Sequence, residues 1–273
     1  MKRIFVSVFA GMFFGTGVGV EVRAEGSDSA FANTTINQGE LAQVETLIVY
    51  GYQLNLLGTS ISAAEGIVGS PEIASRPVLR TGEILEFVPG MVVTQHSGSG
   101  KANQYFLRGF NLDHGTDFST AIDGMPVNMR SHGHGQGYTD LNFIIPELVE
   151  DIRYRKGPYY AEVGDFSGAG AAEFSVKNSL AASQLAITAG EFDYRRVYAA
   201  HQSALASGQL LLGLEAQTYD GPWTDINEAV EKTNVLVRYS TAIADGKFSL
   251  TLMGYDNQWN AADQIPLRAV EQH

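Results

Sequence analysis

The chain has 273 residues, a formal charge of −12 and a pI of about 4.9, which excludes sequence-independent nucleic-acid binding, because that needs a basic footprint. It contains no cysteine, so disulfides, thiolate metal sites and cysteine nucleophiles are excluded too. Thirty glycines and 10% aromatic residues suit a turn-rich β protein of one or two domains.

Lys2 and Arg3 precede an uncharged apolar stretch from Ile4 to Val20, and Val22-Arg23-Ala24 offers small residues where a signal peptidase reads. This order predicts a secretory signal peptide over residues 1–24. A retained anchor fits less well, because Glu21, Arg23 and Glu25 interrupt the segment early. Residues 25–60 are read as a linker, since EGSDSAFANTTINQGELAQV is polar, small and without sustained periodicity. Inside it, ETLIVYG (45–51) is a short β-prone run that on its own could be any strand.

Residues 61–178 are expected to form a small α+β domain. Ser62-Ala63-Ala64-Glu65 has the pattern of a capping box, and Ser70-Pro71-Glu72 places proline at a first helical position. Thr81 is expected to cap a third short helix, GEILEFV, which must stop by Pro89-Gly90. Strands are expected at MVVTQ (91–95), YFLRGF (105–110), STAIDG (119–124) and EDIRYRKG (150–157). Arg108, followed by Gly109, then sits in an apolar strand, where a buried arginine needs a carboxylate or carbonyls. A structural ion pair is the expected role, ahead of substrate contact. Asp123-Gly124 and Lys156-Gly157-Pro158 are read as turns.

Beyond Leu180 the texture changes to five alternating segments: SQLAITAGE, YRRVYAAHQSAL, QLLLGLEAQTY, TNVLVRYSTAI and KFSLTLMGYDNQW. In the third, Leu210, Leu212, Leu214 and Ala216 share one face, opposite Gln209, Gly213, Glu215 and Gln217. Antiparallel membrane strands show this period-two pattern, and so does a soluble β-sandwich. Strand length and the export signal favour the membrane strands.

The order PGMVV (89–93), YFLRGF, AIDGMPVN (121–128), YTDLN (138–142) and IPELVEDIRYRKGP (145–158) resembles the plug domain of TonB-dependent outer-membrane receptors, over about residues 45–178. The resemblance implies an α+β plug followed, over 179–273, by antiparallel β-strands of an incomplete outer-membrane β-barrel in a Gram-negative bacterium. It also makes ETLIVYG similar to a TonB box. Glu45, Thr46, Leu47, Ile48, Val49 and Tyr50 would then add as a strand to a TonB-type energy-transducing protein. The implied activity is uptake of a scarce small solute across outer-membrane lipid, with no catalysis and no required cofactor. One departure stands out. After KGP the family pattern leads into an apolar strand, where this chain has Ala171, Ala172 and Glu173.

Two other functions compete with this one. A plug-like binding or signalling module without transport would be favoured by an added domain ahead of the box, where only roughly 20 residues separate Ala24 from Glu45. A secreted hydrolase lacks any nucleophile–base constellation. Five strands of roughly 9–11 residues cannot close around a plug that calls for about 22. Residues 1–273 alone are therefore expected neither to insert nor to transport.

The loop NMRSHGHGQGYTD (128–140) raises a separate possibility. His96, His114, His132 and His134 fall in three segments, QHSGSGK, FNLDHGTD and MRSHGHGQG, that could converge on the external face. Imidazole is the commonest ligand for zinc, copper and nickel, and Asp113 or Asp117 could complete a site. Gly133 and Gly135 would let the backbone bend so that His132 and His134 turn inward together. A metal or metal chelate would then be the cargo, with His114, His132 and His134 as ligands. Solvated loop histidines, or a gating or pH-sensing role, are the alternatives. No H-E-x-x-H pattern supports a catalytic zinc, and SGSGK (97–101) is no phosphate loop, because Gln95 and Ala102 occupy its key positions.

Overall fold

The computed structural model describes residues 5–13, 59–60, 62–95, 97–263 and 265–270. Their strands run in chain order as β1 (Phe5–Phe13), β2 (Thr59–Ser60), β3 (Glu65–Gly69), β4 (Met91–Thr94), β5 (Gln104–Leu107), β6 (Phe110–Asn111), β7 (Phe118–Ile122) and β8 (Met125–Pro126). They continue as β9 (Val149–Lys156), β10 (Gly170–Val176), β11 (Gln184–Ala189), β12 (Arg195–Leu205), β13 (Gly208–Tyr219), β14 (Val230–Ile243) and β15 (Gly246–Gln258). The first half builds a mixed sheet of order β2-β3-β9-β10-β7-β8, in which β10 and β7 run parallel, and a smaller sheet β4-β5-β6. The second half is one antiparallel meander from β11 to β15, and β1 lies along the outer edge of β15.

Helix is scarcer than the sequence suggests. The helix expected after Ser62 does not form. Ser62 Oγ accepts the amides of Ala64 and Glu65 at 3.1 and 3.2 Å, which closes a turn, and the chain goes straight into β3. Ile67 and Val68 are β-branched, and Val68 buries its side chain in the core, so the ladder with β9 outcompetes a helix here. The helix at Ser70–Ser75 (α1) does form, with Pro71 in its first turn. Thr81–Phe87 is a 3₁₀ helix, entered through Arg80 rather than Thr81 and ended ahead of Pro89-Gly90.

YFLRGF is two strands, not one. Arg108 (φ 51°) and Gly109 (φ 84°) form the tight turn between β5 and β6, the two positive φ values that a two-residue hairpin of matching twist requires. Arg108 is exposed there, and among the described residues it has no ion-pair partner, which corrects the expected ion pair in a buried strand. Asp123 (φ 48°) and Gly124 (φ 79°) make the same kind of turn between β7 and β8. Gly157 (φ 100°) turns the chain after β9.

The departing segment GAAEFSV still becomes β10, the strand between β9 and β7. A Cβ on Gly170 would sit 2.4 Å from the Arg155 carbonyl oxygen, so only a bare backbone fits at the start of this strand. Ala172, Phe174 and Val176 point into the core with Ile152, Phe118 and Ile122. Small residues and one large ring thus fill the place of a uniformly apolar strand.

The meander has its faces reversed relative to a water-soluble sheet. Along β12–β14 the residues facing the first half include Arg196, Glu215, Lys232, Asn234 and Arg238, all buried. The other face carries Val197, Leu212, Leu214 and Val235, with Leu214 53% exposed, and on β11 Ile187 is 73% exposed. A one-residue slip would turn the three cations outward, where each costs about 2–4 kcal/mol in the middle of a bilayer. The soluble sandwich, which needs its apolar face inside, does not describe this sheet. Among the described residues no helix is long and apolar enough to cross a membrane.

Phe174, fully buried in the first half, tests where that core sits. Phe174→Ala is expected to cost about 3–5 kcal/mol, read as a lower midpoint of urea unfolding. Val92→Ala, at a half-exposed position of β4, should stay within about 0.5 kcal/mol of the parent.

Candidate functional site

The loops between β6 and β7 and after β8 meet over one buried histidine. His114 is 2% exposed, and its Nδ1 lies 3.1 Å from the Asn103 carbonyl oxygen. A carbonyl only accepts, so Nδ1 is the donor and Nε2 is the nitrogen turned the other way. That Nε2 faces Asp113 Oδ1 at 3.6 Å. Burial pushes the His114 pKa down, against the opposing pull of Asp113. The His134 ring meets His114 edge to face, with centroids 4.5 Å apart.

Asp113, His114 and His134 therefore bring three ligand atoms within 4.8 Å of one another. His132 stands beside this triplet rather than in it. Its ring stacks on Tyr138 at 3.9 Å and 8°, and its Nδ1 accepts the His134 amide at 3.0 Å. Asp117 is exposed and turned toward Gly168, away from the cluster. His96 and the segment Glu45–Tyr50 lie outside the described residues.

The loop that carries His132 and His134 is held at its base. Met129 and Tyr138 form an isolated bridge, and Gly137, at φ 77°, donates to the Met129 carbonyl at 2.7 Å. Beneath them, buried Asn128 accepts the Thr120 amide at 2.6 Å, while its Nδ2 reaches the carbonyls of Gly115 and Phe118 at 2.9 and 3.0 Å. Sequence reasoning left Asn128, Asn103 and Tyr138 without roles, although Asn128 and Tyr138 end and begin two of the quoted motifs. An asparagine after a strand and an aromatic beside a glycine loop were the available signals.

The cluster lies toward one end of the meander. The connections at 206–207 and 244–245 are short, whereas 220–229 is long. Glu228 in that long connection accepts the Ser99 amide at 2.8 Å and the Trp223 indole at 2.7 Å. Asn257, near the same end of β15, donates to the Gly100 carbonyl at 3.1 Å. Ala102 then donates to the Tyr138 hydroxyl at 3.2 Å, and Asn103 holds His114. The histidines thus sit at the end with the long connection.

Comparison with known proteins identifies this arrangement. The description TonB-dependent Receptor Plug Domain matches residues 58–171. Over those residues the chain is similar to a TonB-dependent receptor plug domain. It is similar to the vitamin B12 transporter BtuB of Vibrio vulnificus, 25% identical over 214 residues that make up 76% of this chain and 34% of the relative. Among solved structures, the siderophore receptor PirA from Acinetobacter baumannii aligns with a TM-score of 0.56 at 18% identity, over 73% of this chain and 32% of that one. The copper transporter OprC aligns with a TM-score of 0.57 at 18% identity, over 75% and 32%. The chain spans about a third of the length of these relatives.

The plug meets the barrel-like sheet through charge. Arg196 of β12 grips Glu147 of the plug with two hydrogen bonds of 2.6 and 2.8 Å. Glu215 of β13 lies 3.3 Å from Arg196 and 2.8 Å from Lys232, and Lys232 also donates to Thr81 of the plug at 3.1 Å. Arg238 of β14 pairs with Asp123 in the β7–β8 turn. Gly213 allows a close apolar approach, since a Cβ there would be 2.3 Å from Leu148 of the plug.

Removing the central anion tests this seam. Glu215→Leu takes from buried Lys232 its ion-pair partner and from Arg196 one of its two, and such a loss costs about 3–5 kcal/mol. A fall in the thermal midpoint of the purified receptor is expected. Exposed Glu231→Gln should leave it in place.

Proposed function

We propose that this protein is a TonB-dependent outer-membrane receptor for active uptake of a scarce solute, with a metal ion or metal chelate as the cargo class. The observation that carries this reading is the reversed meander, whose charged face is neutralised by the plug while its apolar face is turned outward. That arrangement suits a barrel wall in lipid with a plug in its lumen, and it has no use in a freely soluble protein. In outer-membrane barrels the short turns face the periplasm and the long loops face outside, which puts the histidine cluster on the side where solute arrives. The matched relatives are named for vitamin B12, siderophore and copper transport. The reading is completed by residues 1–24 as an export signal whose cleavage would take β1 off the edge of β15, a linker to residue 60, and residues 45–51 as the TonB box.

Coupling is the decisive step. A box that pairs by strand addition depends on backbone donors, and proline removes one and breaks the ladder. Ile48→Pro is therefore expected to abolish binding of the receptor to the periplasmic domain of the TonB-type protein, measured by co-purification, while receptor levels in the membrane stay at parental values. Equal co-purification of parent and variant would rule out residues 45–51 as the coupling segment.

A further inference from the structure

We propose that Asp113, His114 and His134 form an open divalent-metal site of the zinc and copper class on the plug, with Asp113 Oδ1, His114 Nε2 and a ring nitrogen of His134 as ligands. The role of this site as a cargo site rests on the uptake reading above, whereas its ability to bind metal does not.

Three observations converge on it. First, the Asn103 carbonyl accepts from His114 Nδ1, which turns Nε2 toward a carboxylate oxygen 3.6 Å away. A histidine with its far nitrogen donated to a backbone carbonyl is also the usual oriented metal ligand. Second, the spacing is nearly right. Metal–ligand bonds of about 2.0–2.2 Å in a tetrahedron set ligand atoms roughly 3.3–3.5 Å apart, which the His114–Asp113 pair already approaches. The full triplet spans 4.8 Å at most, so His134 must close by on the order of 1 Å. Gly133 and Gly135 flank His134, and a Cβ at either would meet nothing within 4 Å, so the loop has room to close.

Third, the site is one-sided. His114 is buried, Asp113 half-exposed and His134 exposed, which leaves a position open to solvent for water or for a donor atom of an incoming chelator. Three protein ligands plus an open position distinguish an exchangeable site from a closed structural one. Two nitrogens and one oxygen suit zinc or copper better than calcium or magnesium, which prefer all-oxygen shells. All three ligands come from plug loops and none from the barrel strands. A metal bound here would stay with the plug whenever the plug shifts against the wall.

The test is calorimetric titration of detergent-purified, metal-stripped receptor with ZnCl₂ and CuCl₂ at neutral pH. One ion per receptor is expected, with affinity more than roughly tenfold weaker in Asp113→Asn and in His134→Ala, since even losing a group that only orients a ligand costs about that much. Asp117→Asn, outside the triplet, should bind like the parent. Both ligand variants alter solvent-accessible side chains, so unchanged thermal midpoints are expected to accompany the loss. Absence of binding by the parent, or parental affinity in both ligand variants, would overturn the site. No TonB-type protein takes part in the titration, so such a failure leaves the coupling reading untouched, and failure of the Ile48→Pro test would not affect the metal site.

Discussion

Everything in this structure depends on where three cations of the barrel-like sheet find their counter-charges. Arg196, Lys232 and Arg238 point away from the outer face, and each meets an anion or polar group brought by the plug or by a neighbouring strand. Hydrocarbon offers nothing to neutralise them, and water is excluded once the plug is seated. The plug is therefore part of the electrostatics of the sheet it covers. This also fixes the register of the strands, because a slip by one residue exchanges the two faces entirely.

The same contacts decide what the plug leaves uncovered. Its core packs against the wall, which leaves loops at its surface. The loops that reach the open end are anchored from below by Asn128 and from the side by Tyr138, which makes them more ordered than their glycine content suggests. A glycine-rich loop can move, but this one is tied at both ends of its span. His132 adds a further tie by stacking on Tyr138 and accepting the His134 amide.

Much of this was readable in the sequence, and the rest was hidden for identifiable reasons. The five strands after Leu180 were legible because period-two alternation survives whichever face points to lipid. Which face that is could not be read from alternation, since it depends on partners far along the chain such as Glu147 and Asp123. The turn at Asp123-Gly124 was plain, whereas the turn at Arg108-Gly109 was not, because arginine seldom marks a left-handed position. Ser62 misled because a serine that caps a helix and one that closes a short turn make the same bonds to nearby amides. Among the histidines, composition singled out the loops but could not rank the rings. His114 Nδ1 is held by the backbone carbonyl of Asn103, a residue whose side chain has no part in it.

The Asp123 carboxylate divides its two oxygens between different elements. One accepts the amide of Val176, where β10 ends, and the other pairs with Arg238 of the wall. Until the turn at 123–124 is closed and β10 is laid beside β7, that carboxylate is not in place, and Arg238 is a charge without a destination. One carboxylate thus ties the shape of the plug to the seating of β14, so whatever disturbs the turn at 123–124 is felt in the wall as an unmatched charge.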